Sequence, residues 1–388
     1  MALATAAVAI IFYRYFIAAP GPQPLVENEE PPAYAAATLL FAGDVMVHET
    51  QFDSVYAAED DCYNFDPWFE KVKPLVKAAD LAVVNLEATL AGAEQVYSGY
   101  PTFNTPESLA GALKNAGFDL VSTANNHCLD RGEYGVLKTL AFLEEAGLKS
   151  FGTYRSRQER DQALIVEVNG IKAAFLAYTY GTNGIPRPEN KEYLVNMLEP
   201  ELIINDIHRT RGEADLVIVC LHWGLEYQRQ PGGEQRNLAA RLLEEGADMI
   251  IGNHPHVIQP LEFIKFNRSG EQREGPVAYA LGNFTGDQID PYTDTGIMLF
   301  VRVIKDKTRG RVELTEITYI PTWIHRFYHA GRRHFRVLPL IPGEEYRRQL
   351  QEDPYLTGAD LNQIEEIQDG LKEHLRYVPQ GLPSDYNY

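Results

Sequence analysis

Side chains that bind metals or transfer protons follow five short apolar runs of this sequence. In chain order they are Asp44, Asn85, Glu87, Asn125, Asn126, His127, His222, His254 and His256. In open α/β sheets, ligand sites form beyond the carboxyl ends of the strands, so we expect these side chains to meet at one edge. Taken singly, each also fits a helix cap or a turn former, so the hypothesis of a shared site depends on the whole set.

Six of these residues form the predicted set of metal ligands. They are Asp44, Glu87, Asn126, His222, His254 and His256. Imidazole, carboxylate and amide groups without a thiolate suit Mn, Fe or Zn, and we expect one or two such divalent ions. Two ions that share a carboxylate can activate water for attack on phosphorus or a carbonyl carbon, and Glu87 is the candidate bridge. Pro255 separates His254 from His256. In an extended segment these alternate positions can reach different metals or different sides of one metal.

The pair of His127 and Asp130 is the predicted catalytic group. A carboxylate three residues after a histidine can orient the imidazole and raise its basicity, which suggests that His127 is a general acid. The alternative is structural: Asn125 and Asp130 then cap the following helix, and Gly132 and Gly135 supply the turn.

Five further residues are candidates for substrate contacts: Asn85, Trp223, Tyr227, Arg229 and Asn283. Three of them lie in the segment HWGLEYQR, where they can line the mouth of the site and contact an anionic substrate. Plain packing explains Trp223 equally well. The motif LGNF, residues 281–284, ends another predicted strand with Asn283 facing the same rim, although no reaction requires it.

The elements that must position these residues alternate between short β-rich runs and amphipathic helical patterns. The runs span 38–42, 81–84, 120–123, 173–178, 216–220, 249–251 and 277–281. All of them except 173–178 are followed by candidate site residues. Apolar spacing of three and four marks helices at 106–116, 135–146 and 236–245. This rhythm predicts the α/β class, with helices covering the faces of a sheet.

Two further patterns follow the last run. Residues 295–319 form two alternating segments joined by the turn DKTRG, which predicts an antiparallel hairpin that we expect to close a second sheet. From about residue 342 the chain is charged and shows helix spacing in LNQIEEIQDGLKEHL, without residues that suggest chemistry.

Composition limits the possible partners. The 388 residues carry a formal charge of −19, which repels nucleic acid phosphates, so we expect no nucleic acid partner. The three cysteines, Cys62, Cys128 and Cys220, are too few and too scattered for a disulfide framework.

The N-terminus differs from the rest of the chain. Residues 1–19 are largely apolar with Arg14 as their one charge, and the Pro-rich stretch 20–37 cannot continue a helix. This pattern predicts a signal anchor or transmembrane segment and a linker, and a cleaved signal peptide or an interfacial helix are the alternatives. We assign 38–330 to one domain and 331–388 to a charged, partly helical extension.

Several motifs together resemble one known family. GDVM, NLE, ANNHCLDRG, HWGLEY, GNHPHVIQP and ALGNF occur in this order within residues 38–319, and they resemble the CapA family of capsule and poly-γ-glutamate synthesis proteins. The resemblance implies a calcineurin-like metallophosphoesterase fold, a four-layer α/β/β/α sandwich with two central mixed sheets flanked by helices. It also implies that the metal-binding motifs fall on Asp44, Glu87, Asn126 with His127, His222, and His254 with His256.

Two positions depart from the phosphoesterase pattern. Met46 stands where that pattern has a histidine, and a thioether is a poor ligand for a hard divalent ion. His48, two residues further, is the possible substitute. The bridging acid is Glu87 where phosphoesterases usually have aspartate. We therefore expect one metal position to be weak or vacant, and the fold alone does not establish phosphoester hydrolysis.

The resemblance implies a membrane-anchored protein whose domain lies outside the cytoplasm, next to a membrane synthetase complex. Its partner is then an anionic polymer such as poly-γ-glutamate, which a chain of charge −19 must bind through a local positive site. Metal ions can supply that site, as can Arg332, Arg333 and Arg336. A solvated basic turn is the alternative for these arginines.

Three functions stay open at this point. The first is a metal-dependent hydrolase or transferase of amide or phosphoester bonds, in which Glu87 bridges and His127 protonates the leaving group. The second is a non-catalytic scaffold that handles the polymer during synthesis, export or attachment. The third is a metal-dependent phosphoesterase. Met46 favours the scaffold, whereas His127 with Asp130 favours an enzyme.

Overall fold

The computed structural model describes residues 33–384 and Tyr386, and the compact unit described below begins at Tyr34. Its strands are β1 (Tyr34–Val45), β2 (Tyr56–Ala57), β3 (Cys62–Tyr63), β4 (Leu81–Leu86), β5 (Leu120–Ser122), β6 (Lys149–Phe151), β7 (Leu164–Val168), β8 (Ile171–Thr179), β9 (Leu216–His222), β10 (Met249–Asn253), β11 (Leu261–Arg268), β12 (Glu271–Ala278), β13 (Asn283–Thr285), β14 (Thr295–Asp306), β15 (Arg311–His329) and β16 (Arg332–Pro339). Its helices are α1 (Glu49–Val55), α2 (Asp66–Phe69), α3 (Lys73–Ala78), α4 (Ser108–Ala116), α5 (Gly132–Glu145), α6 (Arg157–Arg160), α7 (Pro200–Arg211), α8 (Gly233–Glu245), α9 (Glu344–Gln351) and α10 (Gly358–His374).

The predicted membrane segment at 1–19 lies outside the described residues, as does most of the linker at 20–37. The last four linker residues, 34–37, begin β1, because they pair with the end of β14. Among residues 33–384 and Tyr386, no helix has the length and apolar character needed to cross a membrane.

Two mixed sheets form the centre of the unit. The first has the strand order β16-β15-β14-β1-β4-β5-β6, with β13 beside β1, and its β1, β4, β5 and β6 are parallel. The second has the order β11-β12-β10-β9-β8-β7, and its four central strands are parallel. The predicted runs lie in these strands, except that 277–281 covers only the last two residues of β12.

The alternation of side chains along the strands builds the layers, because neighbouring residues point to opposite faces. In β1, Leu39 and Phe41 face a core shared with Ile218 of β9, whereas Leu40 faces a core that includes Leu113 of α4. The outer face of the second sheet packs in the same way against α7 and α8. The order of layers is therefore helices, sheet, sheet, helices, which confirms the four-layer α/β/β/α fold class.

The predicted hairpin at 295–319 forms from β14 and β15, with Asp306 opposite Arg311. The expectation that it closes the second sheet is wrong. β14 pairs antiparallel with β1, where Phe41 lies opposite Leu299, so the hairpin extends the first sheet. The alternating pattern predicts strands and a turn, but it does not specify the neighbouring strand.

The C-terminal part adds β16 to the first sheet and then α9 and α10. The helix predicted from LNQIEEIQDGLKEHL corresponds to α10, which buries Ile364 and Leu371. The proposed division at residue 330 falls in the turn between the paired strands β15 and β16, and as a domain boundary it stays a prediction. All three cysteines are free thiols.

Candidate metal and catalytic site

The ends of the parallel strands bring the predicted polar residues to one edge. Asp44 at the end of β1 lies opposite Asn85 of β4, and His222 of β9 lies opposite Asn253 of β10. Two glycines allow this close approach. A Cβ atom at Gly43 would lie 1.9 Å from the carbonyl oxygen of Gly282, and one at Gly252 would lie 1.8 Å from that of Tyr279.

Two groups of metal-binding side chains lie at this edge, and they share one residue. The first contains Glu87, His254 and His256, and the second contains Asp44, Glu87 and His222. Within each group, one ligand atom per residue lies within 4.8 Å of the others, and every residue is buried. Glu87 thus has the position that a bridging carboxylate requires.

Several buried polar atoms of these residues have no hydrogen-bond partner among the described residues. They include both carboxylate oxygens of Glu87, Oδ1 of Asn85 and Nδ1 of His254. Buried polar atoms without partners are costly, and a bound cation would satisfy them. Oxygen and imidazole nitrogen donors without a thiolate fit divalent Mn, Fe or Zn. The chemistry of the donors therefore fits the implied metal.

The electrostatics keep these groups in contrasting protonation states. Burial raises the pKa of Glu87, but the positive charges of His256 and His222 outweigh it and lower that pKa to about 2. Burial also opposes the charge of His256, but Glu87 and Asp44 raise its pKa to about 9. Burial, reinforced by His222, lowers the pKa of His254 to about 2. At pH 7 Glu87 is therefore anionic and His254 neutral, which are the forms that bind metals, whereas His256 is protonated and would release its proton on binding a metal.

Hydrogen bonds from neighbouring groups hold Asp44 and His256 in place. The Asn85 amide donates to Oδ1 of Asp44 at 2.8 Å, and the backbone N–H of His254 donates to Oδ2 at 3.2 Å. Nδ1 of His256 lies 3.0 Å from Oδ1 of Asn283. Asn85 and Asn283, predicted to contact substrate, are buried and orient Asp44 and His256.

The backbone of the HPH segment is left-handed at both histidines, with φ of 100° at His254 and 59° at His256. Such conformations are uncommon outside glycine and cluster at functional sites. Both side chains belong to the same donor group with Glu87.

His127 and Asp130 form a pair beside the donor groups. Nδ1 of His127 lies 2.7 Å from Oδ2 of Asp130, which also accepts the backbone N–H of Phe103 at 2.6 Å. The N-cap of α5 is Arg131, so Asp130 does not cap that helix. Asn125 has the structural role, because its amide donates to the carbonyl oxygen of Leu86 at 2.6 Å.

Asn126 connects this pair to the second donor group. Its Oδ1 lies 2.7 Å from Nε2 of His222, and its Nδ2 donates to Oδ1 of Asn183 at 3.2 Å. The amide oxygen therefore faces the side on which Asp44, Glu87 and His222 gather.

The remaining substrate candidates are not brought together. Tyr227 is exposed at the mouth, with its ring 6.2 Å from that of His256. Trp223 lies in the core between the second sheet and its helices, and its indole N–H donates to the carbonyl oxygen of Tyr279 at 3.0 Å. Arg229 stacks over Tyr292 at 4.1 Å in a neighbouring groove along α10. Trp223 thus packs in the core and Arg229 lines the neighbouring groove, and substrate contact by either residue stays a prediction.

An open cleft of about 560 Å³ leads to the site. Its walls include Met46, His48, Tyr227 and Arg333. Nδ1 of His48 accepts the backbone N–H of Asp287 at 3.0 Å, and neither donor group contains His48. Burial, only partly offset by Asp287, lowers the pKa of His48 to about 4. His48 thus lines the cleft outside both donor groups, and its role as a substitute for the histidine absent at Met46 stays a prediction.

The three arginines of GRRHFR have separate environments. Arg332 is exposed, and Arg333 donates to both oxygens of Asp287 at 2.9 Å. Arg336 is buried in a bidentate pair with Asp353. These residues do not form one basic surface.

The comparison with known families decides the assignment of the chain. Residues 38–288 match the model described as "Bacterial capsule synthesis protein PGA_cap". This match covers more than half of the sequence. The chain belongs to the PGA_cap family.

Named relatives agree with this assignment. The chain is 30% identical over 261 residues to the capsule biosynthesis protein CapA of Bacillus anthracis, covering 65% of this chain and 60% of the relative. It is 30% identical over 256 residues to the PGA biosynthesis protein CapA of Bacillus subtilis (strain 168), covering 65% of each. The matched region thus spans less than two thirds of both relatives.

Solved structures with a similar arrangement include a novel phosphatase from Mycoplasma pneumoniae, with a TM-score of 0.42. The two chains are 14% identical, and the match covers 74% of this chain and 94% of the phosphatase. Another is the calcineurin-like phosphoesterase YfkN from Bacillus subtilis, with a TM-score of 0.39, 14% identity, and coverage of 89% and 99%. At these scores the fold assignment rests on the four layers described above.

Two residues of this PGA_cap site escaped sequence analysis, and both follow β8. The Tyr180 ring lies 4.5 Å from that of His254, and Asn183 contacts both Asn126 and His127. The run 173–178 was the one strand-like run without a candidate residue. All the other runs end at the site. The polar segment that follows this run was therefore the sequence signal that could have identified Tyr180 and Asn183 as site residues.

Proposed function

We propose that this PGA_cap protein is a metal-dependent hydrolase or transferase that acts on an amide or phosphoester bond of an anionic polymer. Its role would lie in capsule or poly-γ-glutamate synthesis, export or attachment. The main support is Glu87, which belongs to both donor groups and whose two buried oxygens have no partner among the described residues.

The residues that would hold the metal are Asp44, Glu87, Asn126, His222, His254 and His256. Divalent ions bound there would supply Lewis-acid polarisation and an activated nucleophile at neutral pH. His127 would transfer the proton at the leaving group through Nε2, because Asp130 engages Nδ1. Asp130 would hold the ring in place, and the open cleft would admit a chain-like substrate.

The polymer class rests on the names of the relatives, which refer to capsule and PGA biosynthesis. The chain itself carries a charge of −19, and Arg333 at the cleft is paired with Asp287. Bound metal would therefore be the main local positive charge for a carboxylate or phosphate of the substrate.

The location of the protein is a proposal supported by the composition of residues 1–19. We infer a single-pass membrane anchor there, with the domain outside the cytoplasm beside a synthetase complex. Protease treatment of intact cells and of lysed cells tests this. Digestion of the domain only after lysis would contradict it.

A non-catalytic, polymer-handling scaffold is the second candidate. Met46 favours it, because this buried thioether lines the cleft where the phosphoesterase pattern has a histidine.

The test compares metal content and hydrolysis of poly-γ-glutamate and of a generic phosphodiester by the wild type and the His127→Ala variant. We expect bound divalent metal in both proteins and a loss of about 10²–10⁴-fold in kcat for His127→Ala, since a general acid is removed. His208→Ala is the matched control, because His208 is an exposed residue of α7. A wild type that binds no metal and consumes neither substrate would refute the proposal that the protein is an enzyme.

A further inference from the structure

His48 is a residue of the cleft whose ring is held by a backbone group. Its Nδ1 accepts the backbone N–H of Asp287 at 3.0 Å, and its ring centre lies 5.5 Å from that of Phe103, edge to face. The Phe103 ring also packs against His127 at 4.7 Å, and both histidines line the cleft. A directed hydrogen bond and aromatic packing thus fix the ring of His48.

The partner of Nδ1 determines which ring nitrogen of His48 carries the proton. A backbone N–H only donates, so Nδ1 contributes its lone pair and has no hydrogen. Burial, only partly offset by Asp287, lowers the pKa of His48 to about 4, so the ring is neutral at pH 7. A neutral imidazole has one N–H group, which is here at Nε2. A metal ion at Nε2 would require the loss of this proton or of the bond to Asp287.

The Nε2–H group of His48 is open to the cleft. Within residues 33–384 and Tyr386, the ring makes its one hydrogen bond through Nδ1. Nε2 is also absent from the buried polar atoms that lack a partner, so it reaches the solvent of the cleft. His256, a member of one metal donor group, lines the same cleft. An oxygen of a molecule bound beside that group can therefore accept from His48.

Asp287 can hold His48 because Asp287 is itself held. Its buried carboxylate accepts from the Thr50 hydroxyl at 2.6 Å, from Nε of Arg326 at 2.9 Å, and from both terminal nitrogens of Arg333 at 2.9 Å. Charge-assisted and bidentate bonds of this kind are strong and geometrically specific. The backbone N–H that orients the ring of His48 is therefore on a rigid residue.

The charges at the cleft explain why a neutral donor suits this position. The exposed carboxylates of Glu49, Glu226 and Asp290 lie at its rim, and Arg333 already pairs with Asp287. A further cationic side chain would attract these carboxylates. A neutral N–H does so much less, and it stays available for an oxygen of the substrate.

We propose that His48 binds the substrate as a neutral hydrogen-bond donor, with its Nε2–H on a carboxylate or phosphoryl oxygen beside the metal site. This inference rests on the proposed function and deepens it, because it assigns a residue that contacts the anionic group of the substrate. It is an alternative to the prediction that His48 substitutes as a metal ligand for the histidine absent at Met46.

Two substitutions separate the two hydrogen bonds of His48. His48→Asn keeps an acceptor near the position of Nδ1 but has no group at that of Nε2. Asparagine is also a favoured N-cap residue, and His48 is the N-cap of α1. His48→Gln instead places an amide N–H near the position of Nε2 and restores the donor. His208→Asn is the matched control, because His208 is an exposed histidine of α7.

The experiment uses the full chain loaded with Zn²⁺ and measures the binding of poly-γ-glutamate and of diethyl phosphate by calorimetric titration. We expect His48→Asn to weaken the binding of one of these probes by about 10–100-fold, the usual effect of losing a hydrogen bond to a charged group. The affected probe identifies the acceptor as a carboxylate or a phosphoryl oxygen. His48→Gln binds that probe more tightly than His48→Asn, and the control keeps the wild-type affinity.

Competition with a chelator measures the Zn²⁺ affinity of the same proteins. We expect wild-type Zn²⁺ affinity in His48→Asn, because His48 contacts the substrate and not the metal. Wild-type affinity of His48→Asn for both probes would overturn the proposal. A lower Zn²⁺ affinity in that variant would overturn it as well.

A second readout is the ¹⁵N spectrum of the histidine rings, in which the His48 signals are those missing from His48→Asn. We expect a protonated Nε2 and an unprotonated Nδ1 that stay unchanged between about pH 6 and pH 8. The Nε2–H signal should shift when the bound probe is added. A proton on Nδ1, or an Nε2–H signal that responds to neither probe, would contradict the proposal.

The two proposals fail in different ways. If the wild type binds neither Zn²⁺ nor a probe, both are refuted. If the wild type binds Zn²⁺ and hydrolyses poly-γ-glutamate or a phosphodiester, but His48→Asn matches it in probe affinity, only the role of His48 is refuted. If a probe binds through His48 without any hydrolysis, the role of His48 is supported and the proposed enzyme is refuted.

Discussion

Glu87 carries a buried negative charge at the centre of the site. It is completely buried, and the two nearest basic atoms, Nε2 of His222 and Nε2 of His256, lie 3.5 and 3.7 Å from its Oε1. A buried carboxylate is stable only with compensating charge, and imidazoles at these distances are beyond hydrogen-bonding length. A cation between the histidines and Glu87 is the simplest compensation.

Trp223 provides a test at the scale of one residue. Because its indole packs in the core and donates to Tyr279, we expect Trp223→Phe to lower the free energy of unfolding by about 1–3 kcal/mol. Metal affinity and kcat should stay at wild-type values. Chemical denaturation and Zn²⁺ titration of the same preparation measure both quantities. A changed KM with unaltered stability would restore Trp223 as a substrate contact.

The contrast between His222 and Trp223 shows what the sequence could predict. The motif correctly indicated that His222 ends a strand near the other donors. Adjacent residues of an extended segment point to opposite faces, so a histidine directed into the site places Trp223 in the outer core. The polar segment after the run 173–178 pointed to the region of Asn183, but the sequence did not single out this residue, because its position depends on a left-handed turn rather than on a strand end.

At the scale of elements, the close approach of two backbone segments positions the carboxylate of Asp44. β1 and the segment around Gly282 come together at Gly43, immediately before Asp44. The backbone N–H of Asp44 donates to the carbonyl oxygen of Gly282 at 3.0 Å. Any side chain at Gly43 would separate these segments and displace the carboxylate.

We therefore expect Gly43→Ala to destabilise the fold by about 1–3 kcal/mol, because the added carbon overlaps a backbone carbonyl. It should also weaken metal binding. Gly111→Ala is the control: it lies in α4 with no atom near the added carbon, and alanine favours the helix by about 1 kcal/mol. Thermal unfolding of both variants tests this, and equal stability of the two would disprove it.

The order of strands was harder to predict than the strands themselves. Alternation and helix spacing identified α4, α5, α8 and the hairpin of β14 and β15. The hairpin was assigned to the wrong sheet because its partner, β1, lies more than 250 residues earlier in the chain. Such long-range pairing depends on complementary packing, which local periodicity does not contain.

At the scale of the molecule, the site lies across both sheets. Asp44 lies in β1 and Glu87 follows β4 of the first sheet, whereas His222 ends β9 and both His254 and His256 follow β10 of the second. Each donor group contains residues of both sheets. Metal binding therefore requires the two sheets to be packed, and it would stabilise that packing in return.

The most direct test of the central claim is calorimetric titration of Mn²⁺ into the wild type and Glu87→Gln. Glutamine preserves the shape of the side chain but removes the charge that both donor groups share. Glu226→Gln is the control, since Glu226 is an exposed carboxylate at the same cleft. We expect Mn²⁺ binding in the wild type and the control, and its loss at every site in Glu87→Gln. Wild-type affinity at any site of Glu87→Gln would contradict the account.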